Sequence, residues 1–258
     1  GPGGEEVPAQ VRPSSFWADD SIRWALMDFC VDADAGEAPE YIAEFGPGVT
    51  RAEVPEAIAI AEDAEQIRVD AGRLQFRVSK TSFALLDDLV VDGRRPLSGP
   101  ALARVTEDTG GIFATDGEAP YAVVAEEAGP MRAVIAVLGW NTSEQGERFL
   151  TYTTRIHAYR DQPFVRVFHT LTNRHEEQVI GQHRHASGWP DDPERYSQRA
   201  LPQRNIADAT LVLPVAGLSA WEFDAGDRVI VGDAAQGPAL HRQTHHTEGL
   251  LQSPGGEQ

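Results

Sequence analysis

Three stretches decide the fold: Met131-Arg-Ala-Val-Ile-Ala-Val-Leu-Gly-Trp140, Phe149-Leu-Thr-Tyr-Thr-Thr-Arg-Ile-His-Ala-Tyr-Arg160 and Pro163-Phe-Val-Arg-Val-Phe-His-Thr-Leu-Thr172. Each alternates with a period of two, is rich in β-branched and aromatic residues, and lacks helix caps, which predicts strands. The breaks between them, Asn141 to Glu147 with Gly146 and Arg160-Asp161-Gln162-Pro163, carry turn residues. Strands this close in sequence are expected to pair antiparallel.

The same reading extends outward. Strands are predicted at Val7–Pro13, Ser21–Val31, Glu40–Phe45, Gln66–Val69, Leu74–Lys80, Leu85–Val91, Gly111–Thr115, Ala122–Glu126, Ala209–Val215, Trp221–Asp224 and Asp227–Val231. Asp92-Gly93 signals a turn. Residues 52–65 are rich in Ala and Glu, yet Val54-Pro55 and the alternation Ile58-Ala59-Ile60 favour strand plus loop. Residues 181–206 read as a long polar loop, a type that is more often functional or mobile than inert. The expectation is an all-β chain: a small, partial β-barrel unit over residues 1–70, an antiparallel, mutarotase-like β-sandwich over 71–252, and a disordered tail over 253–258. The first boundary rests on a composition shift at about Asp70-Ala71-Gly72.

Composition narrows the function. The 258 residues hold 22 Lys plus Arg against 40 Asp plus Glu, a net charge of −18. Such a balance argues against nucleic acid and acidic membranes as partners, since phosphate binding needs a positive surface. No run of eighteen apolar residues exists to span a bilayer. The single cysteine, Cys30, excludes an internal disulfide framework and a multi-thiolate zinc site. It sits in an apolar strand pattern and is expected to be a buried, inert thiol. Gly1 to Glu6 show no signal-peptide pattern, and the compartment stays open between cytoplasm and secretion.

Alternation along residues 149–160 places Thr151, Thr153, Arg155, His157 and Tyr159 on one face and the mostly apolar Leu150, Tyr152, Thr154, Ile156 and Ala158 on the other. The first set gathers a guanidinium, an imidazole and a phenol. Arg132 can join it from the preceding strand. From the following strand either Arg166 or His169 can, because they fall on different faces, and His169 is the expected contributor. The chemistry suits β-elimination of an acidic sugar. An arginine neutralises the carboxylate through its planar fork. A histidine or tyrosine of tuned pKa then takes the C5 proton, and an acid protonates the oxygen leaving C4. The same residue types also decorate ordinary exposed strands in cross-strand pairs.

Other groups carry less. His183-x-His185 and the set His241, His245 and His246 are histidines in polar sequence, without a metal-site pattern. Asp191-Asp192-Pro193-Glu194 offers oxygen ligands for calcium but lacks the glycine-punctuated spacing of a calcium loop, so no cofactor is expected. Trp24 and Trp140 lie in strand patterns and are expected in the core. Trp189, in Ser187-Gly-Trp-Pro190, is the expected sugar platform. Lys80, the only lysine, ends a strand.

Two blocks resemble a known family. Val7-Pro-Ala-Gln-Val-Arg-Pro13, Trp17-Ala-Asp-Asp-Ser-Ile-Arg-Trp24 and Leu26-Met-Asp-Phe29 are similar to the N-terminal barrel unit of the exo-acting rhamnogalacturonan lyases. Glu127-Ala-Gly-Pro-Met-Arg-Ala-Val-Ile135, Gly139-Trp140, Thr154-Arg-Ile-His-Ala-Tyr159 and Pro163-Phe-Val-Arg-Val-Phe-His-Thr170 are similar to that family's central β-sandwich. The family's turn glycine is Asp20 here, which must accept a less favourable backbone geometry. Family members continue into a helical toroid, which these residues do not supply. The resemblance therefore implies the β portion of a lyase acting on rhamnogalacturonan-type pectin, with a missing C-terminal toroid as its partner domain. Its expected catalytic residues are Arg155 for the carboxylate, His157 as base and Tyr159 as acid. Arg132, His169 and Trp189 are expected to bind the acidic oligo- or polysaccharide. The alternative is a non-catalytic carbohydrate-binding or scaffold module.

Overall fold

A computed structural model describes residues 1–31, 33–172, 204–217, 219–224, 229–233, 235, 240–245, 248–253 and 256–257. Among the described residues it contains eighteen strands and no α-helix. Among the described residues no helix is long and apolar enough to cross a membrane. The chain divides into two compact units, Gly1–Leu213 and Pro214–Gln258.

In the first unit, β1 (Ala9–Phe16) and β2 (Ile22–Phe29) form an antiparallel hairpin. Its turn holds Asp20 at φ 63°, the strained geometry that the missing glycine implies. Then β3 (Ala59–Glu62), β4 (Gln66–Asp70), β5 (Leu74–Ser79) and β6 (Asp87–Val91) make a four-stranded sheet in sequence order. Asp70-Ala71-Gly72 is the tight turn between β4 and β5, with Gly72 at φ 87° and its N–H donating to Asp70 Oδ1 at 3.0 Å. The third sheet comprises β7 (Leu102–Glu107), β8 (Ile112–Ala114), β9 (Ala122–Ala128), β10 (Arg132–Thr142), β11 (Arg148–Tyr159), β12 (Val165–Thr172) and β13 (Ile206–Val212). Its order is β12-β11-β10-β8-β7-β13, and β9 also pairs with β10. Every pairing is antiparallel.

The two larger sheets pack face to face. Ile67, Val69, Leu74, Phe76 and Val78 of the smaller sheet share one buried cluster with Ala133, Ile135, Val137, Tyr152, Ile156 and Ala158 of the larger. Phe83 closes it, stacked on Tyr152 at 5.5 Å between ring centroids. Full burial of a Leu, Ile or Phe side chain contributes about 1.5–3 kcal/mol, so this inter-sheet layer is the principal source of stability. The period-two reading holds here: the even-numbered residues Tyr152 to Ala158 point inward and the odd-numbered residues Thr153 to Tyr159 point out. Thr151 departs from it, being buried. A register shift after Trp140, with Leu150 at φ 48°, inserts a bulge that turns this end of the strand.

Several expectations are corrected. Residues 40–45 form no strand, and Phe45 is almost wholly exposed. Residues 102–107 form β7, a strand the alternation does not reveal because its inward face is Ala103, Val105 and Glu107, one small residue and one charged one. Trp24 is 64% exposed and Cys30 is exposed, because the β1–β2 hairpin leaves most of its apolar side chains uncovered.

In the second unit, β14 (Ala220–Asp224) pairs with β15 (Val229–Asp233), and β16 (Leu240–His245), β17 (Glu248–Ser253) and β18 (Gly256–Glu257) form a small sheet.

Candidate functional site

The outward face of β9–β12 carries the polar set. Cross-strand register aligns Glu127, Val134, His157 and Arg166 in one row. The next row aligns Val124, Ala136, Arg155 and Phe168, and Arg132 stands opposite Tyr159. Three of the expected residues, Arg155, His157 and Tyr159, therefore share one face with Arg132.

His157 is half-buried. Its ring meets Phe168 edge-on at 5.1 Å and stacks against Tyr159 at 6.4 Å between centroids. Burial pushes its pKa below the usual imidazole range, and the positive charges of Arg132 and Arg166 act in the same direction. At neutral pH the ring is uncharged and able to accept a proton. Its Nδ1 is buried without a hydrogen-bond partner among the described residues. Tyr159 also packs on Phe164 at 5.6 Å.

The two arginines differ in commitment. Arg155 Nε and Nη2 grip both oxygens of Glu126 at 2.7 and 2.8 Å. The pair lowers the Glu126 pKa, and with the guanidinium 45% exposed it contributes little to stability. Arg166, directly opposite His157, is exposed and makes no hydrogen bond or ion pair among the described residues. A free guanidinium beside a neutral imidazole can receive a carboxylate; one already gripped by Glu126 must first exchange partners.

Arg132 is largely enclosed, at 14% side-chain exposure, between Glu127 at 2.7 Å and Asp28 at 3.3 Å. The N-terminal hairpin docks here. Gln10 of β1 is buried, its Nε2 donates to Glu127, and its Oε1 accepts from the backbone N–H of Met131 and Arg132 at 3.0 and 2.9 Å. Burial raises the pKa of Asp28 despite the nearby Arg132. Arg132 therefore holds the hairpin and tunes His157, rather than offering a free fork to a ligand.

His169 lies on the opposite face. Its Nδ1 bonds Thr154 Oγ1 at 2.8 Å, and its ring stacks on Tyr152 at 5.7 Å. Burial pushes its pKa down to about 4. Of the two histidine–arginine alternatives on β12, Arg166 joins the outward set. Trp189, His183, His185 and Asp191 to Glu194 lie outside the described residues, as does His246. Among the described residues no group of three or more His, Cys, Asp or Glu is placed to hold a metal ion. Lys80 is engaged with Glu62 and the Asp63 carbonyl, both at 2.7 Å.

Sequence reasoning missed Glu126, Glu127, Asp28, Gln10 and Phe168. Adjacent Glu126 and Glu127 both reach the outward face because the β9–β10 register shifts between Val134 and Ile135. Strict alternation separates them, and only the bulge unites them.

Comparison with known proteins agrees with this architecture. Residues 58–181, from just before β3 to beyond β12, match the central beta sandwich domain of PcRGLX-like proteins. This supports, at the level of that domain, a relation to the rhamnogalacturonan-lyase-like family. The chain is also similar to the uncharacterized protein YetA of Bacillus subtilis (strain 168), 24% identical over 178 residues. That alignment takes in 62% of this chain and 19% of YetA, so the chain spans about a fifth of its relative's length.

Proposed function

We propose that this chain is the β portion of a polysaccharide lyase acting on rhamnogalacturonan-type pectin, with the outward face of β9–β12 as its acidic-sugar site. The observation that carries the reading is Arg166, exposed and without a hydrogen bond or ion pair among the described residues, directly across from a neutral, half-buried His157. In this reading Arg166 neutralises the uronate carboxylate, which acidifies the C5 proton. His157 takes that proton, the C5–H electrons become the C4=C5 double bond, and the C4–O bond breaks. Tyr159 donates a proton to the departing oxygen. Arg155 keeps Glu126 in place beside the site. The domain match over residues 58–181 supports the same reading.

A second reading has a specific observation in its favour. Arg155, the sequence's first choice for the carboxylate, is spent on Glu126, which suits a module that binds acidic sugar without turning it over. One experiment separates the two. The chain is incubated with rhamnogalacturonan oligosaccharides while calorimetry follows binding and ultraviolet absorbance follows the unsaturated product. Turnover that His157→Ala removes, with binding kept, supports the lyase reading. Binding without turnover, lost in Arg166→Ala, supports the binding module. Absence of binding contradicts both.

A further inference from the structure

An open cleft lies on the same outward face, toward the far end of β10. Its volume is about 560 Å3, and Glu118, Ala119, Tyr121, Trp140 and Arg148 line it. Trp140 was expected in the core. Instead the even-numbered residues of β10 face outward, and Trp140 is half-buried and lines the cleft. Tyr121 stands beside it, 53% exposed, held by its backbone N–H donating to the Leu138 carbonyl at 2.9 Å. The Arg148 guanidinium lies 5.7 Å from the Trp140 ring centre, and its Nε bonds Glu118 Oε2 at 3.0 Å.

The ingredients are those of a pyranose site. The part of the half-buried indole that the overlying Arg148 guanidinium leaves open offers an apolar surface to the C–H groups of a sugar ring, and a tyrosine beside it presents an apolar body with a polar tip. The Arg148–Glu118 pair supplies charged donors and acceptors at the rim, which form stronger bonds to hydroxyls than neutral groups do. Its opposite charges leave the cleft without net attraction for a carboxylate. The chemistry therefore fits a neutral pyranose, whereas the Arg166 end fits a uronate.

Position connects the two ends. Val134 is opposite His157, and Trp140 lies six residues further along β10 on the same face. At about 3.3–3.4 Å per residue that is roughly 20 Å, a span that one sugar ring cannot bridge and an oligosaccharide can. Between them run Arg155, Phe168, Thr153 and Thr170, cross-strand partners facing the same way.

We infer that the Trp140–Tyr121–Arg148 cleft is a remote subsite for a neutral pyranose of the same acidic oligosaccharide whose uronate occupies the His157–Arg166 end. The inference rests on the proposed carbohydrate reading and adds a length requirement to it. The test is calorimetric titration of the intact chain with rhamnogalacturonan oligosaccharides from disaccharide to octasaccharide. Affinity rises by about tenfold, equivalent to about 1.4 kcal/mol, once the oligosaccharide is long enough to reach Trp140. Tyr121→Ala and Arg148→Gln, both at exposed positions, abolish that gain and leave disaccharide binding unchanged. Arg166→Ala does the reverse. A gain with length that survives in both Tyr121→Ala and Arg148→Gln overturns the subsite, even where Arg166→Ala still weakens the disaccharide. Failure of the carbohydrate reading has a different signature: no oligosaccharide of any length binds, and both proposals fall together.

Discussion

Acid sensitivity should be set in part by His169, and its magnitude follows from its place in the fold. The ring is stacked on Tyr152, bonded to Thr154 and largely removed from water, so charging it in the folded state is costly. Its pKa falls from 6.5 to about 4. A lowered histidine pKa means that the unfolded chain binds more protons between these values. The stability contributed by the neutral ring is thus fully present above pH 6.5 and is lost as pH falls through the window down to about 4. Taking 1.36 kcal/mol per pKa unit, wild type loses about 2 kcal/mol by pH 5 and about 3 kcal/mol by pH 4 from this group alone. His169→Gln keeps a polar partner for Thr154 and cannot titrate. Urea unfolding of both proteins at pH 7, 5 and 4 measures the difference directly. The variant starts less stable at pH 7, and the gap closes or inverts by pH 4. His157 titrates in both proteins and cancels. Parallel loss of stability in wild type and variant across that range refutes the reasoning.

Arg132→Leu leaves Asp28 and Glu127 enclosed without their cation, a loss on the order of 3 kcal/mol at pH 7. Asp28 already has a raised pKa, so the folded state takes up its proton first. Part of the loss is therefore recovered as pH falls toward the ordinary carboxylate range, and urea midpoints at pH 7 and 5 read the recovery. Gly139→Ala drives a methyl group into the Tyr152 hydroxyl and ring, and because Tyr152 is fully buried against Phe83 the cost is about 1–3 kcal/mol. It appears as a lowered Tm, at about 2–4 °C per kcal/mol for a chain of this size. Gly129→Ala collides with the Gln10 amide and undocks the β1–β2 hairpin. Limited proteolysis is expected to accelerate within the first 57 residues while residues 58–172 stay protected.

The parts of the fold legible in the sequence are those where alternation and burial coincide. Along β11 the inward Tyr152, Thr154, Ile156 and Ala158 and the outward Arg155, His157 and Tyr159 read directly, since both sides of the alternation differ in polarity. The β1–β2 hairpin misled the reading of Trp24 and Cys30, because an apolar strand pattern predicts burial only when something covers it. Trp140 misled it for a related reason: an aromatic in a strand fits either face of a sheet whose outward side also carries Val134, Ala136 and Leu138. The choice of His169 over Arg166 failed on phase. Both belong to β12, and which one shares a face with His157 depends on the register His157 to Arg166, which turn residues do not specify to a single position. The grouping of Glu126 with Glu127 was hidden by a bulge.

The central claim, an acidic sugar on the outward face of β9–β12, is tested most directly by following the histidine ring signals in NMR during titration with a galacturonate-containing oligosaccharide at pH 7. His157 and His169 sit on opposite faces of the same sheet, so one spectrum reports on both. The expected result is a saturable shift of the His157 resonances, absent in Arg166→Ala, with His169 unmoved. A shift of His169 with His157 silent, or a His157 shift that persists in Arg166→Ala, contradicts it.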